Sequence, residues 1–129
     1  MTRIGSTQFG ECNHRATLQE RYMEPPDMIH VLAIVTAKPG LRDAVLKEFR
    51  ASVSNVHAEK GCIEYGPVID AEGAGSTQTA LGPDSFAVIE KWESMEALKA
   101  HGAAPHMAAY AAKTRPMVAN RVIYMLSPA

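Results

Sequence analysis

The feature that most constrains the fold is a change of hydrophobic period that occurs twice along the chain. Residues Ile29 to Ala37 follow the two-residue period of a strand, and both alternating sets, Ile29-Val31-Ala33-Val35 and Leu32-Ile34, are apolar, as in a strand covered on both faces. Pro39-Gly40 breaks the run. Leu41, Val45, Phe49, Val53 and Val56 then recur at helical spacing, with Arg42, Asp43, Lys47, Glu48 and Arg50 on the opposite side, in a helix ending near Gly61. The same switch returns after Ser85 to Glu93, an apolar strand that runs into Ser94, whose hydroxyl suits the free N–H groups of a first helical turn. A chain whose period switches in this way builds strand-helix units rather than a bundle or a sandwich.

The remaining segments fill in the order. Cys62 to Asp70 reads as a strand through Ile63, Tyr65, Val68 and Ile69, and Gly66-Pro67 marks a bulge or a sheet edge. Ala71 to Gly82 is a Gly/Ser/Thr-rich connection with a short extended piece expected at Thr77-Gln78-Thr79. After Ser94 a short helix closes at Gly102, Pro105 opens a second one through Met107, Tyr110, Ala111 and Thr114, and Arg115-Pro116 stops it. A last strand, Asn120 to Ser127, carries Val122, Tyr124 and Leu126 on one side and Ile123 and Met125 on the other. The order βαββαβ predicts an α+β, ferredoxin-like fold: an antiparallel four-stranded sheet with its helices on one face. No element remains to cover the second apolar face, so a homodimer packed sheet on sheet is expected.

Residues 1–27 differ from the rest. They show no helical or strand period and close on Pro25-Pro26, so they read as an irregular N-terminal extension to a domain spanning 28–129. Scattered Ile4, Phe9 and Leu18 do not make the continuous apolar run of a targeting peptide, and no membrane association is expected. A net charge of -1 offers no field for nucleic acid. Cys12 and Cys62 lack the spacing of a disulfide framework or a zinc site, which points to a reduced, cytoplasmic protein.

Candidate chemistry gathers between Phe86 and Tyr110, where the chain places its only Trp and two of its five His. Trp92 shares a strand face with Phe86, Val88 and Glu90; a Trp at this spacing is ordinary core. A carboxylate among apolar neighbours, however, needs a partner or a raised pKa, so Glu90 is either hydrogen-bonded or part of a proton relay. His101 and His106 are the candidates for proton transfer, since an unperturbed imidazole titrates near ~6.5. His101 falls in the last turn of its helix, where the dipole favours the cation, and His106 in the first turn of the next, where the neutral base is favoured. The expected roles are therefore His106 as base and His101 as oxyanion stabiliser; the alternative is that both rings hydrogen-bond backbone at the helix break. Their offset on one unbroken helix would point the rings apart rather than toward a single metal, and no metal site is expected. Tyr110 lies one turn after His106 and can orient a substrate oxygen with it. His30 can sit at the surface or in a pocket, and His57 is expected to be solvated.

These residues resemble a known family. Glu59-Lys60-Gly61-Cys62 with Tyr65, Pro83-Asp84-Ser85, Ile89-Glu90-Lys91-Trp92-Glu93-Ser94, His101, Pro105-His106-Met107 and Tyr110 look like the antibiotic biosynthesis monooxygenase (ABM) family, nearest to its bacterial quinol monooxygenases acting on menadiol-like hydroquinones. The resemblance spans Met28 to the C-terminus. It implies a dimeric α+β barrel that oxidises an aromatic hydroquinone or phenol with O2 as co-substrate and no metal or flavin. It adds Tyr65 to a substrate-binding set of Trp92, Tyr110, Phe86 and Val88. Where polyketide-tailoring members place an Asn this chain has Val88, and the Asn, Trp and His of haem-degrading relatives correspond to Ala33, His101 and Ala111 or Tyr110. Neither specialised role is expected. The competing class is a non-catalytic dimeric barrel domain that binds a small aromatic.

Overall fold

The structure is a computed structural model and describes residues 25–129. Most of the expected N-terminal extension, including Cys12, lies outside the described residues. The elements are β1 (Ile29–Ala37), α1 (Arg42–His57), β2 (Cys62–Val68), β3 (Ser85–Trp92), α2 (Met95–Gly102), α3 (Pro105–Thr114) and β4 (Val118–Leu126), with short 3-10 turns at Gly75–Thr77 and Arg115–Met117. The strands form one antiparallel sheet in the order β2-β3-β1-β4, which is the ferredoxin-like α+β arrangement that the period switching predicts.

The helices cover one face of this sheet. Val31, Ala33 and Val35 of β1 lie opposite Glu90, Val88 and Phe86 of β3, and their side chains meet Val45, Leu46, Phe49 and Val56 of α1 in the core. Phe49 is the centre of the packing: its ring stacks on Tyr65 at 5.1 Å and meets Phe86 and Tyr110 edge-on at 5.8 and 5.9 Å. The other face carries Leu32 and Ile34 of β1 and Val122, Tyr124 and Leu126 of β4. In the single chain it is uncovered, with Tyr124 48% and Leu126 47% exposed. The alternation of β1 thus meets a partner layer on one face only.

Three local features correct or refine the expectations. The expected extended piece at Thr77-Gln78-Thr79 is not a strand: Gly75–Thr77 is a 3-10 turn, and the connection is held by Asp70. The Asp70 carboxylate accepts from the N–H groups of Leu81 and Gly82 at 2.8 and 2.9 Å, bonds that hold its pKa below the ordinary carboxylate value. The bulge near Gly66-Pro67 falls between Cys62 and Glu64, and β2 does take an edge position. His57 is not merely solvated, since its Nε2 lies 2.9 Å from the carbonyl oxygen of Tyr65, pinning the end of α1 to β2.

The break between α2 and α3 has a local cause. Ser94 caps α2 by accepting from the Ala97 N–H at 3.1 Å. At the other end, Pro105 is the first residue of α3, and its ring disfavours the helical region for the residue before it; Ala104 is extended at φ -68°, ψ 141°. The second crossover is therefore two short helices set at a corner.

Candidate active site

The corner leaves space. A cavity of about 700 Å³ opens between the sheet and the α2–α3 pair, walled by Val31, Val88 and Ile123 from the strands and by Leu98 and Met107 from the helices. Its polar wall contains His101, Glu90, Tyr65, Tyr110 and Arg121. Of the residues expected to bind substrate, Tyr65, Tyr110 and Val88 line the cavity; Trp92 and Phe86 are fully buried and stand behind its wall as core. His30 is half-buried on β1's other face, away from the cavity.

The two imidazoles part company. His101, on the buried side of α2, lies 4.7 Å from the Trp92 ring and 5.4 Å from the Tyr65 ring, centroid to centroid, and borders the cavity. His106 is not among the residues that line it. Its Nε2 lies 2.6 Å from Glu59 Oε2, and the Nδ1 of His101 lies 3.0 Å from the same oxygen. The offset that would splay the rings on one helix instead brings both onto one carboxylate, because the chain turns at Ala104.

Glu59 reaches this position from the turn between α1 and β2. Gly61, at φ 86°, closes that turn against α2, where an added Cβ would lie 2.6 Å from the Cβ of Ala97. Ala97 and His101 are one turn apart on α2, so the close approach of Gly61 brings Glu59 beside the His101 ring. A carboxylate accepts only, so with Glu59 ionised the His101 hydrogen sits on Nδ1 and Nε2 is left as the acceptor.

Glu90 meets both expectations for a buried carboxylate. It accepts from Trp92 Nε1 at 2.8 Å, and burial pushes its pKa up, opposed by that bond and by His101 and Arg121. The Tyr65 and Tyr110 phenols are both pushed up, mainly by burial, so each stays protonated and can donate. Cys62 is half-buried, and burial followed by Glu59 and Glu90 pushes its thiol up, which makes it a poor nucleophile. Among the described residues no group of three or more His, Cys, Asp and Glu is arranged to hold a metal ion.

Sequence reasoning missed two members of the site. Arg121 had a signal: it shares the β4 face of Ile123 and Met125, and an Arg at that parity faces the cavity rather than the uncovered side. Glu59 stands in a quoted motif, but its meeting with His101 spans 42 residues of sequence and depends on how a turn docks on a helix.

The fold is a ferredoxin-like α+β domain with a cavity between sheet and helices, and the sequence places it in a family. Residues 28–113 match the antibiotic biosynthesis monooxygenase family; the chain belongs to it and is an oxidoreductase of the monooxygenase class. It is 39% identical over 103 residues to the Escherichia coli K12 protein named "Probable quinol monooxygenase YgiN", covering 78% of this chain and 98% of that one. Among solved structures it resembles PA3566 from Pseudomonas aeruginosa, with a TM-score of 0.66 and 26% identity over 80% of this chain and 95% of that one. Rv0793 from Mycobacterium tuberculosis shares the fold at a TM-score of 0.65 and 23% identity, covering 79% of this chain and 95% of that one. Among the described residues no helix is long and apolar enough to cross a membrane.

Proposed function

We propose that this monooxygenase oxidises a small aromatic hydroquinone or phenol with O2, using His101 as the general base. The carrying observation is the cavity of about 700 Å³ whose largely apolar wall carries one buried imidazole and two protonated phenols, with Glu90 and Arg121 on the same polar side. The quinol named for the Escherichia coli relative is of the chemical class that such a slot suits. His106, the ring that the helix dipole favours as base, has its Nε2 on Glu59 and no place on the cavity wall.

The chemistry is narrow because O2 reacts directly only with an electron-rich guest. His101 Nε2 takes a ring hydroxyl proton, and the Tyr65 and Tyr110 phenols with the Arg121 guanidinium stabilise the resulting oxyanion. The anion passes electrons to O2 and a bond forms from O2 to the neighbouring ring carbon. The peroxide takes the proton back from His101. Loss of water then breaks the O–O bond, removes the hydrogen of that ring carbon and leaves a carbonyl. Quinol plus O2 becomes hydroxylated quinone plus water; all four electrons come from the substrate, so no resident metal, flavin or separate reductant is needed. An apolar wall protects the anion from solvent.

We read residues 28–129 as the catalytic domain and 1–27 as an extension, and infer that two copies pair through the uncovered sheet face. The exposed aliphatics and Tyr124 of β4 support the pairing. The test of the activity is O2 uptake by purified, metal-free protein supplied with a reduced naphthoquinol. Uptake several-fold above the autoxidation blank is expected. Tryptophan quenching by the quinol with no faster uptake would instead indicate a binding domain.

A further inference from the structure

We propose that Glu59 is the positioning residue of His101 and that His106, by sharing the same carboxylate oxygen, sets how strongly His101 holds a proton. The inference rests on the assignment of His101 as base. The three groups form a graded line from cavity to surface: the side chains of His101, Glu59 and His106 are 7%, 14% and 27% exposed. Glu59 Oε2 lies 3.0 Å from His101 Nδ1 and 2.6 Å from His106 Nε2, and Oε1 lies 3.2 Å from the same His101 nitrogen.

A carboxylate on Nδ1 fixes one tautomer, points Nε2 at the guest and steadies the imidazolium that forms when the guest gives up its proton. The proton moves from a substrate O–H to Nε2; no group is oxidised or reduced in that step. His106 opposes the support. Each hydrogen bond that it donates, and any positive charge on its ring, draws electron density from Glu59 and weakens the hold on His101.

The other groups around His101 act in both directions. Glu90 and Trp92 face it from β3, Tyr65 from β2, and Lys99 shares α2. Arg121 acts on Glu90 from β4. Among the described residues, only Glu59 and His106 are linked to it through one carboxylate oxygen.

The experiment follows the imidazole nitrogens of His101 and His106 by long-range 1H–15N spectra of the full chain across pH, in the parent protein, Glu59→Gln and His106→Ala. The expected results have opposite signs. In the parent, neutral His101 carries its hydrogen on Nδ1. In Glu59→Gln the His101 titration midpoint falls, and the acid limb of the kcat/KM profile moves down with it, while kcat/KM on the plateau drops about tenfold or more. In His106→Ala the midpoint and the limb move up. Because the spectra need no substrate, inactivity toward quinols with these midpoint shifts present overturns the quinol reading and leaves the Glu59–His106 linkage standing. A His101 midpoint that stays put in His106→Ala, or moves the same way in both variants, overturns the linkage. Should Glu59→Gln fail to fold, the His106→Ala shift decides alone, because His106 is at the more exposed end of the line.

Discussion

The two halves of the molecule share a topology and differ in the crossover. The first half joins β1 to β2 by one continuous helix of 16 residues, with Phe49 and Val56 pressed into the core, and its polar site residues, Glu59 and Tyr65, lie beyond that helix. The second half joins β3 to β4 by helices of 8 and 10 residues broken at Ala104-Pro105. The unbroken crossover fills its share of the sheet. The broken one leaves a cavity and brings His101 and His106 onto Glu59, a residue donated by the first half. In this fold the polar site arises where the repeat departs from regularity, and the regular half supplies the rigidity against which the site is held.

The largest effect separating the halves is expected in stability. Phe49→Ala removes the ring that touches Tyr65, Phe86 and Tyr110 and is expected to destabilise by about 3–5 kcal/mol in denaturant melts. Met107→Ala, on the broken crossover, costs clearly less because that side chain is only partly buried against the core, whereas Phe49 is fully buried in it. Equal losses would mean that the second half is packed as tightly as the first.

Activity should sort the other way. His101→Ala is expected to lower kcat/KM for naphthoquinol about 100-fold or more, with a stability loss smaller than that of Phe49→Ala although the ring is buried against Trp92 and Tyr65. An unchanged rate would remove the base from the site. Gly61→Ala probes the joint between the halves. Its new Cβ meets Ala97, and the residue must keep a positive φ, so a loss of roughly 1–3 kcal/mol is expected, together with a weaker hold of Glu59 on His101. A fully stable, fully active variant would show that the turn and α2 part easily.

The smallest effect concerns Glu90. Its folded pKa is raised above the unfolded value by burial, so the folded state binds the proton more tightly. Stability should therefore fall as pH rises from the ordinary carboxylate value of 4.5 through the raised one. Glu90→Gln keeps an acceptor for Trp92 Nε1 and removes this slope, so its melting temperature should gain on the parent at neutral pH but not at acid pH. A gain that is the same at both pH values would mean that Glu90 pays no burial penalty.

Much of this was legible in the chain because it lies within single elements. The two-residue alternation of Ile29–Ala37 sets which side chains of β1 face the helices, Ser94 announces the start of α2, and Pro105 the start of α3. Trp92 and Glu90 fall on one strand face by parity alone; that the indole N–H is the partner of the buried carboxylate is seen only in the structure. What periodicity does not encode is the meeting of elements. Whether Trp92 lines a cavity or backs it depends on how far the helices stand off the sheet, and the fate of His106 depends on the angle at which α3 leaves α2. The corner at Pro105 is visible in the sequence; its direction, toward Glu59, is not.

The most direct measurement is a crystal structure of the protein with a bound naphthoquinone. The ring is expected in the cavity between the β1–β3 face and the α2–α3 corner, with one oxygen at roughly 2.6–3.2 Å from His101 Nε2. A quinone seated elsewhere, or seated in the cavity with its oxygens turned from His101, would contradict the assignment of that imidazole as the base.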